Sequence, residues 1–380
     1  MFKEITVYSC GDSRDASTWS NVPYLFCRTL EQKGIKVNRV DISPSKALNK
    51  WFNRISFYLF VRILHLHACP IFARTWLHRC LIYRRLKKTI IQYPDSQLNL
   101  FLSFAFTNPY SDKPNVLWCD WTDRVVIERL GRLPEWYEKA SLAHEDRVMA
   151  KADVVYTMFP VCKQHLEDLY HREIRYLHRN VVNSLYRGEY SFQENASFRY
   201  QSDYILFIGN HRYKPAALDL IEAIRLLRQK QIKLKVELIG MSDKELGIEE
   251  EWINCHGYLH KDIDKENQLY YHLLMGAKLF VNTTRQWAGY SSTIEAMYYG
   301  CPVIVSPYSD FTAEFGTNIG FGFYKDEETS LSDLIQRIFS LSVEEYRVMS
   351  RQAHDMVADY NWDNYVDAFL KDLNEKQSVQ

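Results

Sequence analysis

The amino-acid sequence predicts an α/β protein with two domains, each built around a doubly wound parallel sheet. Three observations support this prediction: the chain is long enough for more than one domain, continuous apolar runs alternate with helical patterns, and the two halves repeat that alternation. Runs that are apolar at every position indicate strands buried on both faces, as in parallel sheets. With 47% hydrophobic residues, 14 Gly and 11 Pro in 380 residues, the composition excludes disordered and collagen-like chains.

The first half opens with a strand–helix–strand pattern. The β-branched run at residues 5–11 ends at a glycine, and a helical pattern at about 23–32 and a second strand pattern at 36–42 follow it. Further strand patterns, separated by helical stretches, lie at 99–105, 115–119 and 153–158. We therefore predict one α/β domain over residues 1–185.

The second half repeats this order after a polar stretch at 186–203, which lacks a clear period and is interpreted as the linker. Strand patterns follow at 204–209, 234–239, 253–258, 277–282 and 302–306, and helical patterns at 216–231, 267–276, 292–299 and from about 331 onward. The predicted second domain spans residues 186–355, and residues 356–380 form a terminal helical segment.

Charge and cysteine spacing exclude several classes of protein. Lys plus Arg (47) equals Asp plus Glu (47), so the chain has no general affinity for polyanions. The eight cysteines contain no Cys-x-x-Cys pair and the twelve histidines show no metal spacing, so we predict no metal and a reducing, cytoplasmic environment. No signal peptide opens the sequence, and the apolar stretch at 55–61 is shorter than the roughly 20 residues that cross a bilayer.

The strongest local signal lies at residues 287–307, where the loop Gly289-Tyr290-Ser291-Ser292 leads into a helix that carries Glu295. Backbone amides at a helix start, with the positive end of the helix dipole, form a site for a phosphate. A carboxylate one turn inside that helix can accept both hydroxyls of a ribose. In the alternative interpretation, Ser291 or Ser292 is only an N-cap and Glu295 a first-turn charge.

Residues 204–370 resemble the C-terminal, donor-binding domain of GT-B-fold glycosyltransferases, closest to glycosyltransferase family 4. The resemblance depends on four segments in the family's order: LFIGNHRYKPAALDLIEAI, VELIG, HGYLHKDIDKENQLYYHLLMGAKLFVNTT and STIEAMYYGCPVIVSP. It implies the GT-B architecture, two Rossmann-like domains facing a cleft, with a terminal Trp-bearing helix that crosses back to the first domain. It also implies metal-independent transfer of a sugar from a nucleotide-diphosphate donor, with retention at the anomeric carbon and no cofactor.

The resemblance assigns roles to several residues of the second half. Glu295 matches the second glutamate of the family's Glu-x7-Glu motif, which holds the nucleotide ribose, whereas Trp287 departs from the first glutamate. The segment Gly289-Tyr290-Ser291 matches the family's phosphate loop if one residue is deleted. Arg212 and Lys214, which follow Gly209, resemble the pair that clamps the donor diphosphate, and Arg285 is a third candidate cation. The alternative for Arg212 and Lys214 is an ordinary solvated loop.

In the first half, the loop with Gly11, Asp12 and Ser13 follows the first strand, where the family places an acceptor-facing loop. Asp120 falls at a strand end, where many relatives carry a His or Asp near the reacting sugar. The resemblance implies that Asp120 orients the acceptor instead of abstracting its proton. For Asp120 and Asp123, helix N-capping is an equally supported alternative.

Residues 42–94 contain ten Lys or Arg and no Asp or Glu, interleaved with aromatic residues. We predict helices here, with Lys50, Arg54 and Arg62 on one face and with Phe57 and Phe60 off it. Such a stretch can lie on an anionic membrane and suggests a lipid-linked acceptor. The alternative is an ordinary solvated surface, and nucleic acid is disfavoured because no recognised binding motif is present.

Together these features predict a glycosyltransferase that moves a sugar from a UDP- or GDP-sugar to a hydroxyl of a glycan or lipid-linked acceptor, in bacterial surface polysaccharide synthesis. We expect it in the cytoplasm, including peripherally on the inner face of the plasma membrane. Two alternatives stay open: a nucleotide-sugar epimerase or hydrolase of the same fold, and a non-catalytic partner protein, which Trp287 favours.

Overall fold

The computed structural model describes residues 2–66, 69–177, 180–285 and 290–377. The chain divides into two compact units, one formed by Met1–His178 with Val366–Gln380 and the other by Arg179–Tyr365. The predicted boundaries at 185 and 355 do not coincide with these. Ser184 and Leu185 belong to the second unit because they hydrogen-bond to the hydroxyl of Tyr271.

The first unit contains a five-stranded parallel sheet in the order β2-β1-β3-β4-β5. Its strands are β1 (Glu4–Ser9), β2 (Lys36–Asp41), β3 (Asn99–Leu102), β4 (Asn115–Cys119) and β5 (Val154–Thr157). Its helices before the second unit are α1 (Val22–Gln32), α2 (Lys46–Ser56), α3 (Trp76–Gln92), α4 (Asp123–Arg129), α5 (Lys139–Lys151) and α6 (Pro160–Tyr170). A π-helical segment, Phe57–Ile63, continues α2 directly.

The second unit contains a six-stranded parallel sheet in the order β11-β10-β9-β6-β7-β8. The strands are β6 (Tyr204–Ile208), β7 (Lys235–Ile239), β8 (Ile253–Cys255), β9 (Leu279–Asn282), β10 (Val303–Val305) and β11 (Gly322–Tyr324). The helices are α7 (Phe192–Tyr200), α8 (Lys214–Gln229), α9 (Asp243–Leu246), α10 (Asp264–Gly276), α11 (Ser291–Tyr298), α12 (Ser309–Phe315), α13 (Leu331–Phe339) and α14 (Val343–Val357). The last helix, α15 (Trp362–Gln377), begins in the second unit and belongs to the first from Val366.

The structure confirms the predicted α/β class and the ten predicted strands, and in the second unit it adds four elements, α7, α9, α12 and β11. Helix α7 lies within the stretch that we interpreted as a linker. Its sequence looks polar because it contains Arg199, yet that side chain is buried and donates to the carbonyl oxygens of Gly300 and Tyr299. Strand β11 has only three residues and begins at a glycine, and the sequence analysis did not predict it.

Two glycines let the ends of β6 and β7 approach closely. Gly240 has a φ of +105°, and a Cβ atom there would lie 2.5 Å from the carbonyl oxygen of Gly209. Any side chain at Gly240 would therefore push the two strand ends apart. The loop that follows Gly209 starts from this contact, which fixes where the predicted cations Arg212 and Lys214 leave the sheet.

The stretch at residues 42–94, called the basic segment here, is helical, as predicted, in α2, the π-helical segment and α3. Phe52 and Phe60 pack inward on Phe72 and Tyr137, respectively. None of the helices in the described ranges is both long and apolar enough to cross a membrane.

Candidate functional site

Each unit has one point at which the order of strands reverses. In the second unit the chain builds β7 and β8 on one side of β6 and then β9, β10 and β11 on the other. In doubly wound sheets, ligands bind outside the carboxyl ends of the strands at such a reversal. The loops after β6 and β9 are therefore the expected ligand-binding region of this unit. They carry most of the donor-site residues predicted from the sequence.

The loop after β6 holds Gly209, Arg212 and Lys214. Arg212 is exposed, and its backbone amide donates to Oδ1 of Asn210 at 3.0 Å. Lys214 begins α8, and its ammonium group donates to the carbonyl oxygen of Glu245. The structure thus places both cations at the predicted sheet edge, and their role in binding a diphosphate stays a prediction.

The loop after β9 holds the other predicted donor-site residues. Arg285 is exposed and forms an ion pair with Glu327 at 2.9 Å. Trp287 and Gly289 lie outside the described residues. Ser291 and Ser292 begin α11 and are half-buried, and Oγ of Ser291 accepts a hydrogen bond from Nδ2 of Asn183 at 3.2 Å.

Tyr290 is buried and anchors the start of α11 instead of facing solvent. Its hydroxyl donates to the carboxylate of Glu314, and its ring packs against Phe311 and Phe315. The Glu314 carboxylate also accepts the amide of Asn180 at 3.1 Å. Tyr290 therefore holds the position of the helix start, and its contact with a donor stays a prediction.

Glu295 is the residue whose environment differs most from expectation. Its side chain is only 2% exposed, and Nζ of Lys261 donates to both carboxylate oxygens at 2.8 and 2.7 Å. The hydroxyls of Tyr270 and Tyr271 donate to Oε2 and Oε1 at 2.8 and 3.1 Å. A carboxylate has about four acceptor positions, and all four are used here. A ribose could bind Glu295 only if one of these side chains moved away.

Lys261 is the partner that sequence reasoning missed. Its ammonium group lies 4.2 Å from the ring centroid of Tyr270, a cation–π contact, and also approaches the carbonyl oxygen of Asn183. Burial lowers the pKa of Lys261, an effect that the charge of Glu295 opposes. Burial and the same carboxylate raise the pKa of Tyr270 and of Tyr271, so both phenols stay protonated donors. Lys261 and Glu295 are 34 positions apart in the sequence, and no sequence pattern indicates that they form a pair.

A cavity of about 520 Å³ adjoins the same sheet edge. Its walls come from the ends of β9, β10 and β11, from α8 and from the start of α13, and its polar side chains are Asp219, Glu222, Thr283, Arg285, Ser306, Lys325, Ser330 and Ser332. The buried Oγ1 of Thr283 has no hydrogen-bond partner within the described part of the chain. Hydroxyls with both carboxylates and cations suit a ligand with many hydroxyl groups.

In the first unit, Asp120 follows β4 at the carboxyl edge of the sheet. Its Oδ1 accepts hydrogen bonds from the amide of Trp121 at 2.8 Å and from the thiol of Cys119 at 3.2 Å. Among the residues that the structure describes, no cation pairs with it. Burial raises the pKa of Asp120, and the bond from the Trp121 amide opposes that shift.

The N-capping alternative for Asp120 and Asp123 is wrong. The hydroxyl of Thr122 caps α4 by accepting the amide of Val125 at 3.2 Å, while Glu145 accepts the amides of Asp123 and Arg124 at 2.7 and 3.3 Å. The carboxylate of Asp123 instead pairs with Arg74 at 2.5 Å. Asp120 therefore does not cap α4, and capping does not explain why an aspartate stands at this position.

The three predicted residues of the loop after β1 differ in their contacts and in their exposure to solvent. Gly11 has a φ of +113°, and its amide donates to Asp41 at 3.0 Å. Asp12 is exposed, with its carboxylate accepting the amide of Arg14 at 2.9 Å. Ser13 is only 1% exposed, so its side chain points into the unit. Its carbonyl oxygen accepts a hydrogen bond from Arg39. Of the three predicted acceptor-side residues, Asp12 has the most accessible side chain.

No group of three or more His, Cys, Asp or Glu side chains that could hold a metal ion occurs in the residues that the structure covers. The absence of a metal from the reaction stays a prediction. In the basic segment, several apolar side chains of α2, the π-helical segment and the residue that follows it are exposed: Trp51 is 68% exposed, and Ile55, Tyr58, Ile63 and Leu64 are exposed as well. Lys46, Lys50, Arg54 and Arg62 are exposed along the same stretch.

Comparisons with known proteins agree with this architecture. Residues 191–356 match the model of the family described as glycosyl transferases group 1. Sucrose-phosphate synthase from Thermosynechococcus elongatus is 14% identical, with a TM-score of 0.69 and 99% of each chain covered. HepE of Anabaena, solved with UDP and glucose, is 12% identical, with a TM-score of 0.62, covering 98% of this chain and 100% of its own.

A third solved structure is WaaG, a glycosyltransferase involved in lipopolysaccharide biosynthesis. It is 15% identical, with a TM-score of 0.56, covering 86% of this chain and 96% of its own. A comparison with curated protein sequences found no significant match. Residues 191–356 thus match the group 1 glycosyl transferase family, and the chain has the fold of the GT-B glycosyltransferases named above.

Proposed function

We propose that the protein is a retaining glycosyltransferase that uses a nucleotide-diphosphate sugar, UDP- or GDP-linked, and acts on a hydroxyl of a glycan or lipid-linked acceptor. One observation carries the donor half of this proposal. The strand reversal between β6 and β9 brings Arg212, Lys214 and Arg285 to the edge of the sheet where α8 and α11 begin. Cations and helix amides at one edge are the groups that bind a diphosphate.

The chemistry required of this edge is stabilisation of a leaving group. When the bond from the anomeric carbon to the diphosphate breaks, negative charge develops on the departing oxygen. Fixed cations and amides aimed at that charge lower the barrier without reorganisation. The first amides of α11 have no acceptor within the helix and so can contribute. In this proposal neither a metal nor a cofactor takes part.

We assign Glu295 a positioning role in place of the predicted contact with ribose. Its bonds to Tyr270 and Tyr271 join α11 to α10, and its ion pair with Lys261 joins α11 to the turn before α10. Because the amides proposed to bind phosphate belong to α11, this cluster fixes their direction. The 520 Å³ cavity beside Arg285 is the proposed site of a sugar, since its walls offer hydroxyl, carboxylate and cationic partners.

For the acceptor, we propose that Asp120 orients the reacting hydroxyl. Its raised pKa and the lack of a cationic partner within the described residues leave it able to hydrogen-bond to a ligand. The proton of that hydroxyl would leave with the nucleotide diphosphate. A role in surface polysaccharide synthesis is supported by the likeness in fold to WaaG, a glycosyltransferase of lipopolysaccharide biosynthesis.

The donor proposal is tested by incubating the protein with UDP- and GDP-sugars and following nucleotide release with and without acceptor extracts. We expect Arg212→Ala to lower kcat/KM about 10- to 100-fold, because one charged hydrogen bond contributes about 1.5–3 kcal/mol. Lys233→Ala is the matched control, since Lys233 is exposed and precedes the amino end of β7. Equal activity of the two variants would contradict the diphosphate site. Release without any acceptor would indicate hydrolysis instead of transfer.

We also propose that the basic segment docks on an anionic membrane on the cytoplasmic side, where a lipid-linked acceptor would be presented. A contiguous exposed apolar surface, flanked by four cations on α2 and the π-helical segment, is uncommon on a monomer. Each cation near the surface adds about 1 kcal/mol. Nucleic acid stays disfavoured as a partner.

Sedimentation with phosphatidylcholine vesicles, with and without phosphatidylglycerol, tests this docking. Trp51→Ala and charge reversal at Lys46, Lys50, Arg54 and Arg62 should each reduce pelleting with the anionic vesicles. Phe198→Ala removes an exposed aromatic side chain of the second unit and should leave pelleting unchanged. Pelleting that does not depend on phosphatidylglycerol, or that survives both changes, would contradict the proposal.

A further inference from the structure

A second cavity lies in the first unit, away from the predicted acceptor residues. Its volume is about 240 Å³, and it is lined by Tyr83 of α3, by Thr107, Pro109 and Tyr110, and by His144, Arg147, Val148 and Lys151 of α5. Arg147 and Lys151 lie in the last turns of α5, which leads into the amino end of β5. The amide of Asn108 donates to Asn115 at the start of β4. The cavity therefore extends toward the amino edge of the sheet, whereas Asp120 and the loop with Asp12 lie at its carboxyl edge.

The charges around this cavity are all positive. Arg147 and Lys151 line it, and Arg79, one turn before Tyr83 on α3, is close enough to Arg147 that this charge and burial lower the pKa of Arg79. Arg79 and Arg147 each donate to a backbone carbonyl, of Ala140 and Ala143. Across the described ranges, none of the three cations forms an ion pair.

This arrangement differs from that of other arginines in the same unit. Several of those have carboxylate partners, in the pairs Arg74–Asp123, Arg124–Asp146, Arg132–Glu138 and Arg175–Asp372. Arg147 and Lys151 thus line the cavity as cations that no carboxylate of the described residues neutralises. An anionic ligand in the cavity would therefore neutralise these positive charges.

Aromatic side chains form the rest of the walls. The ring of Tyr83 lies 6.5 Å from that of Tyr110 and 6.1 Å from that of His144, with nearly perpendicular planes in both pairs. Burial, together with the charges of Arg79 and Arg147, lowers the pKa of His144 to about 4, so the imidazole is neutral at pH 7. Neutral rings beside cations suit a ligand with a phosphate at one end and a sugar-like ring at the other.

We propose that this cavity binds a phosphorylated sugar or polyol, with the phosphate on Arg147 and Lys151 and the ring against Tyr83 and Tyr110. The cavity is smaller than the roughly 300–1,000 Å³ of sites for drug-sized ligands, so a single ring with its phosphate fits and a nucleotide sugar does not. The ligand is either a free sugar phosphate or the headgroup of a phosphorylated lipid. This site is separate from the donor site and does not depend on the proposed function.

Titration calorimetry of the full chain with glucose 6-phosphate, inorganic phosphate and glucose tests the proposal. We expect glucose 6-phosphate to bind more tightly than phosphate, and glucose to bind most weakly. Arg147→Gln and Lys151→Gln should each weaken binding of both phosphate compounds about tenfold, the effect of losing one charged hydrogen bond. Tyr110→Ala should weaken binding of glucose 6-phosphate alone. Lys139→Gln, at the other end of α5, should change nothing.

Three results would overturn the proposal: no binding of either phosphate compound at millimolar concentration, binding of glucose as tight as that of glucose 6-phosphate, or an equal loss in Lys139→Gln. Vesicles with and without phosphatidylinositol distinguish the sources. Vesicle binding that glucose 6-phosphate displaces supports a lipid headgroup as the ligand, and binding of glucose 6-phosphate without vesicle binding supports a free sugar phosphate. Circular dichroism of each variant confirms that it is folded.

Discussion

The two units treat their buried carboxylates differently. In the second unit, Glu295 has a lysine and two tyrosine hydroxyls on its oxygens, so the protein itself uses every acceptor position. In the first unit, Asp120 and Glu145 have no cationic partner within the described part of the chain, and only backbone amides and one thiol donate to them. A carboxylate that is saturated by its own protein holds structure, whereas one that is partly satisfied can still bind or titrate.

Breaking the Lys261–Glu295 pair should produce the largest effect. Lys261→Met leaves a buried carboxylate without its counter-charge, which costs about 3–5 kcal/mol of unfolding free energy. Urea denaturation measures this loss, and adding Glu295→Gln to the variant should recover part of it. Lys265→Met, an exposed lysine four residues away, is the control. If Lys261→Met were stable and bound nucleotide more tightly, Glu295 would be the ribose ligand after all.

Glu145 sharpens the comparison because it is as deeply buried as Glu295 but has no cation. Burial and the nearby charge of Asp123 raise the pKa of Glu145 to about 8. Between the ordinary carboxyl pKa and this value the folded state binds one more proton than the unfolded state. Stability should therefore fall as the pH rises through that range.

Glu145→Gln should remove this fall, so that the variant gains a few kcal/mol relative to the parent protein between pH 5 and pH 8. Urea midpoints at several pH values measure the difference. Glu173→Gln, at an exposed glutamate, should follow the parent curve. Parallel curves for Glu145→Gln and the parent would show that Glu145 is already ionised at pH 5.

Asp120→Asn probes the carboxylate that is not saturated. The amide oxygen of Asn can still accept the Trp121 amide, so the unfolding free energy should change little. We expect kcat to fall ten- to hundredfold, about 1.4–2.7 kcal/mol in barrier, because the variant loses a charged acceptor for the substrate hydroxyl. Initial rates with saturating donor measure this, with the exposed Asp112→Asn as control. Normal turnover in Asp120→Asn would remove Asp120 from the site.

The sequence predicted the alternation of strands and helices well because buried strands of parallel sheets are apolar at every position. It also placed Arg212, Lys214 and Glu295 on the correct loops and helix, since each follows a recognisable strand. The partners of Glu295 could not be found in this way. Lys261, in the turn before α10, and Tyr271 on α10 reach it only in the folded unit, and nothing in their spacing distinguishes them from surface residues.

The same limit applied to the first unit. Ser13 looked like an exposed loop serine, but the loop turns it inward, where it is buried. Glu145 is part of an ordinary helical pattern, and only the fold brings it to the start of α4, where the amides of Asp123 and Arg124 need an acceptor. Positions fixed by local pattern were predictable, and partnerships made across the fold were not.

The smallest expected effect comes from Tyr271→Phe, which removes one of the four hydrogen bonds to Glu295. The hydroxyl also accepts the amide of Leu185 at 2.6 Å, so its loss should cost about 1–2 kcal/mol of unfolding free energy. Tyr298→Phe is the control, because in the described residues its hydroxyl makes no hydrogen bond. The informative measurement is the affinity for the nucleotide product. If Glu295 only positions α11, freeing one acceptor position leaves that affinity unchanged, whereas a ribose ligand held back by its neighbours would bind more tightly.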